Sequence, residues 1–83
     1  MTKTFKIGEY AIGGIIQVDI RKNDIEIKAL DWNTKKVVSR YEYTNNDPAL
    51  RPGYWRSDVI MYLEDLTTYY YAERIMKYIE GKL

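Results

Sequence analysis

The 83-residue chain contains neither cysteine nor histidine. Without cysteine there can be no disulfide, thiolate nucleophile, zinc ribbon or iron–sulfur ligation. Without histidine the chain lacks the side chain most often used as a general base near neutral pH, which is also the commonest metal ligand. Long apolar runs are missing too. Met1-Thr2-Lys3-Thr4-Phe5-Lys6 leads into short apolar stretches broken by Glu9, Gln17 and Asp19, too polar for a signal peptide or a membrane span. A cytoplasmic protein that does not contact membranes is therefore expected. Charge is balanced: 13 basic and 12 acidic residues leave a formal net charge of +1. That excludes the basic excess of a non-specific nucleic-acid binder and the acidic excess of a DNA mimic.

What is present suffices for one core and no more. Apolar residues make up 46% of the chain and charged residues 30%, which places it among folded rather than disordered sequences and gives a single domain over residues 1–83. Nine tyrosines and two tryptophans are many for a small core, so some must be exposed. Exposed aromatics with a polar tip are typical of binding surfaces.

Periodicity gives an α+β fold: an antiparallel β-meander of three to four strands, then a C-terminal helical segment. Phe5 and Ile7 suggest a first strand, which Tyr10-Ala11-Ile12 continues or follows with a second, before a tight turn or bulge at Gly13-Gly14. Ile16, Val18 and Ile20 alternate with Gln17, Asp19 and Arg21, the period of a half-buried strand. Lys22-Asn23-Asp24 supplies turn residues, and Ile25-Glu26-Ile27-Lys28-Ala29 resumes the alternation as a hairpin partner. After a turn over Asp31-Trp32-Asn33-Thr34-Lys35, Val37, Tyr41 and Tyr43 share the inward face of the last strand. The strands thus fall within roughly residues 3–43, a loop with both prolines within roughly 44–56, and a helix within roughly 57–80. Ser57 is the expected N-cap of that helix.

The helical stripe changes phase. At about 100° per residue, Val59, Leu63, Leu66 and Tyr70 line one side, whereas Ala72, Ile75, Met76 and Ile79 centre on nearly the opposite side. Either the helix breaks near Thr67-Thr68, so that both halves pack on the sheet, or one straight helix turns Ile75, Met76 and Ile79 toward a partner.

No constellation for catalysis emerges, so a non-enzymatic protein without cofactor or metal is expected. Glu64-Asp65 and the sheet acids Asp19, Glu26 and Asp31 read as solvated surface, since nothing supplies a cleft or a raised pKa. Gly8, Gly13 and Gly14 form neither a dinucleotide fingerprint nor a P-loop and are turn residues. Arg51-Pro52-Gly53-Tyr54-Trp55-Arg56 is the most suggestive stretch, because Arg, Tyr and Trp most often dominate binding energy. The alternative is that Tyr54 and Trp55 fold back to close the core. Arg51, Tyr54, Trp55 and Arg56 form the first candidate partner site, with Ile75, Met76 and Ile79 as the second. Trp32 beside Lys35 and Lys36 is a possible nucleic-acid contact, with Tyr41 or Tyr43 as further stacking platforms.

In size and layout, a few twisted strands plus one or two helices with no cysteine and many aromatics and charges, the chain resembles the small phage-encoded inhibitors of host defence, anti-CRISPR proteins among them. The resemblance implies an inhibitor in the host cytoplasm that occupies a surface on a larger protein or protein–nucleic acid complex, such as a CRISPR effector. From the residues alone, two other classes stand beside this one. One is a single-strand nucleic-acid binder; the other is a structural protein that self-associates, for instance as a homodimer, through a second apolar helix face or an open sheet edge.

Overall fold

The computed structural model describes residues 2–21, 24–44 and 54–82. Four strands, β1 (Thr2–Lys6), β2 (Ile15–Arg21), β3 (Asp24–Leu30) and β4 (Val37–Thr44), are followed by two helices, α1 (Tyr54–Leu66) and α2 (Tyr69–Lys82). The strands form one antiparallel sheet in the order β1-β2-β3-β4. An α+β meander is what the alternation in β2 and β3 demands. Val18 pairs with Ile27 and Ile20 with Ile25, so the apolar members of both strands fall on one face.

The two helices cover that face. Ile16, Val18, Ile25, Ile27, Ala29 and Tyr43 from the sheet meet Val59 and Leu63 of α1 and Ala72, Ile75, Met76 and Ile79 of α2 in a single core. The helix does break at Thr67-Thr68, and the break is stabilised from both sides. The Thr67 hydroxyl donates to the Leu63 carbonyl at 2.6 Å, and the Gly13 amide donates to the Leu66 carbonyl at 2.7 Å, satisfying acceptors at the end of α1. Thr68 caps α2, its hydroxyl accepting from the Tyr71 amide at 3.2 Å. The break resets the helical phase, which brings Ile75, Met76 and Ile79 into the core and leaves Tyr70 exposed rather than in line with Leu66.

Three expectations are corrected. The first helix begins at Tyr54 rather than near residue 57, so Ser57 lies inside the helix and does not cap it. Packing anchors this end of α1, through an ion pair of 2.6 Å between Arg56 and Glu80 of α2. Tyr10-Ala11-Ile12 is not a strand. Residues 7–14 form a loop closed by Ile7 and Gly8 amides donating to the Gly14 carbonyl at 2.8 and 3.2 Å, with Gly8 at a φ of 140°. Finally, Val37 does not point inward. Ala29 pairs with Ser39 but Leu30 with Val37, so a bulge at Val38 turns Val37 away from the face of Tyr41 and Tyr43 and leaves it 54% exposed.

The opposite sheet face is polar, and among the described residues Glu26 is its buried charged group. Its carboxylate accepts from Arg40 at 2.6 Å, with Lys28 at 3.5 Å and Arg21 at 3.7 Å. The Arg40 hydrogen bond is the chief cause that holds the Glu26 carboxyl below its ordinary value, with burial acting against it. A lowered folded-state pKa stabilises the fold at neutral pH, and the contribution is lost as pH falls below the unfolded value toward the folded one. Glu26→Gln should therefore flatten the drop in melting temperature between about pH 5 and pH 3. Thermal melts across that range check this; an unchanged acid slope would mean that the Arg40 pair contributes nothing.

Candidate interaction surface

The two ends of the molecule differ in character. At one end lie Arg21, Asp24, Glu26, Arg40 and Glu42, charges of both signs around a polar cleft of about 230 Å³. Arg56 and Glu80 pair on the helices. Of the loop site, Arg51 and the side chains of Tyr54 and Trp55 lie outside the described residues. Arg56 is exposed but ion-paired within the chain, so contacting a partner would require it to exchange Glu80.

Ile75, Met76 and Ile79 have no exposed surface at all. As a second partner site they are withdrawn: the broken helix turns them inward, and a second chain could touch them only if the domain opened.

The other end is apolar. It is assembled from the 7–14 loop, the turn between β3 and β4, the start of β4 and the helix break, and backbone contacts fix these pieces to one another. Gly14 makes the closest approach. A Cβ there would stand 2.7 Å from Trp32 Cβ and 2.8 Å from the Gly8 carbonyl oxygen, so only glycine lets the loop sit against the turn. Gly13 ties the same loop to Leu66, next to the break. On this frame Tyr10 and Ile12 are each 68% exposed; Tyr69 at the start of α2 is 70% exposed, and Val37 and Val38 at the start of β4 are about half exposed. Ile15, Leu30 and Val37 pair in one row across the sheet at this end and continue the apolar character onto the open face.

The turn between β3 and β4 is closed by its own hydrogen bonds. Asp31 Oδ1 accepts from the Asn33 and Thr34 amides at 2.8 and 2.9 Å, and these bonds, Thr34's foremost, hold the carboxyl below its ordinary value. Lys35 adopts a left-handed φ of 63°; its ammonium hydrogen-bonds the Trp32 carbonyl and lies 5.0 Å from the Trp32 ring centroid. The structure thus brings Trp32 and Lys35 together, but Lys35 occupies a face of the half-buried indole that a stacked base would need. Lys36 is exposed at the end of the turn. Tyr41 stacks on Tyr62 at 5.0 Å on the core side and Tyr43 is buried, so neither offers a platform to a nucleic-acid strand.

The sequence contained a signal for this surface in its residue types, Tyr10 and Ile12 set between Gly8 and Gly13-Gly14, but their apolar character resembled a strand. Among the described residues no group of three or more carboxylates is placed to hold a metal ion, and no helix is long and apolar enough to cross a membrane. No protein-family model, no curated protein and no solved structure matches the chain.

Proposed function

We propose that the protein is a non-enzymatic interaction module that binds a larger protein through its apolar end, with Tyr10, Ile12, Trp32, Val37, Val38 and Tyr69 forming the contact. The observation that carries this is the exposure of Tyr10 and Ile12 on a loop pinned by backbone hydrogen bonds to Gly14 and Leu66. Apolar side chains held out rigidly lose little entropy when covered, and contiguous exposed apolar patches on small domains mark interaction sites. The phage-encoded inhibitors that the chain resembles act by occupying a surface of a larger complex, and a patch of this kind is all that such a mechanism requires. On this reading the partner is a host defence complex, a CRISPR effector being the first to try, met in the host-cell cytoplasm.

Affinity purification from host cells identifies the target, and titration calorimetry with the purified target then tests the surface. Ile12→Ser with Tyr69→Ser should keep the melting temperature, since both side chains are exposed, yet weaken binding by at least about thirtyfold if even one of them is an interface hot spot. Full affinity in that variant, together with loss of binding in Arg51→Ala with Arg56→Ala, would move the site to the stretch from Arg51 to Arg56.

A further inference from the structure

We propose a second surface, independent of the first: the outer edge of β4 pairs antiparallel with β4 of a second copy of this chain about a twofold axis at Tyr41. β4 is the last strand of the sheet, and its outer backbone groups meet no further strand among the described residues. The other edge strand, β1, carries Lys3 and Lys6, guard charges of a single sign. β4 instead carries Arg40 and Glu42, opposite charges two residues apart on the open face. When two such strands run antiparallel about Tyr41, Arg40 of each copy falls opposite Glu42 of the other, so the feature that would guard a lone edge becomes self-complementary. The intact chain leaves room for this. Glu42 lies directly opposite Glu26, a like charge, and Arg40, which gives Glu26 its 2.6 Å contact, stands 3.4 Å from Glu42. The Glu42 carboxylate remains 63% exposed and the Arg40 side chain 56%, so each has solvent-facing surface left with which to meet the other copy.

Sedimentation of the full chain up to about 1 mM should show a monomer–dimer equilibrium. Glu42→Arg should stay folded by circular dichroism and dissociate at least about tenfold more readily, because two attractive cross-strand pairs become repulsive. Arg40→Glu, made with Glu26→Gln so that the new carboxylate meets no buried like charge, should also be monomeric. Mixing the two variants should restore a dimer, now a heterodimer. Ile12→Ser with Tyr69→Ser should leave self-association unchanged, which keeps this surface distinguishable from the target site. A chain that sediments as a monomer throughout, a dimer indifferent to Glu42→Arg, or variants that fail to pair on mixing would each overturn the proposal.

Discussion

Val18→Asp is expected to unfold the domain. Val18 is fully buried, lies between Lys3 of β1 and Ile27 of β3 in the register, and faces the helices. A carboxylate there would be enclosed by aliphatic side chains, with only the exposed edge residue Lys3 beside it on the same face, and a buried charge without a desolvated partner costs several kcal/mol or must take up a proton instead. Folded domains hold only about 5–15 kcal/mol in total, and one this small belongs near the lower bound. Circular dichroism should show loss of the cooperative thermal transition, whereas Gln17→Asp, one residue away on the polar face, should melt close to the parent. A Val18→Asp variant that kept its melting temperature would mean the strand sits one residue out of register, since a one-residue slip exchanges the two faces.

Ile75→Glu should have an effect of similar size and the same cause. Ile75 is fully buried, and Ala72, Met76 and Ile79 on the same helix face are buried with it. Forcing a charge among them should cost roughly 3–5 kcal/mol and remove the folded state at moderate temperature. The variant separates two roles that look alike in sequence. Loss of the near-ultraviolet signal together with the helical signal places the residue in the core. A folded protein whose only change is a lower oligomeric state would place it at an interface and contradict the packing of α2 on the sheet.

How far the sequence revealed this architecture depended on whether each pattern was local. In β2 and β3 the inward residues are all aliphatic and the outward ones polar except Ile15 and Leu30 at one end, so strand and register followed directly. The helix break was legible as a phase change, because Thr67 and Thr68 are residues whose hydroxyls compete for backbone groups, and both do so here. The bulge in β4 was not legible. Val37 and Val38 are both apolar, so either could serve as the inward residue, and the register shift opposite Ala29 and Leu30 arises from pairing rather than from propensity. The start of α1 was misplaced for a related reason. A cap is a local signal, but this helix end is anchored across space by Arg56 and Glu80.

The candidate site was legible in kind but not in place. An excess of aromatic residues requires some to be exposed, yet which ones depends on tertiary approach. Tyr10 and Ile12 are exposed because Gly14 lets the loop close against Trp32 and Gly13 bonds to Leu66, contacts between segments far apart in the chain. Trp32 and Lys35 were rightly paired in sequence, but the cation covers the ring instead of flanking it.

The most direct test of the central claim, that the apolar end is the working surface, is amide hydrogen exchange on the chain alone and bound to its purified target. Protection on binding should concentrate in residues 8–14, 31–38 and 66–70, with the polar end and the amides of α2 beyond its first turn unchanged. Protection confined to the first turn of α1 and to Arg21, Asp24 and Glu42 at the polar end, with the 8–14 loop exchanging as fast as in the free chain, would contradict it.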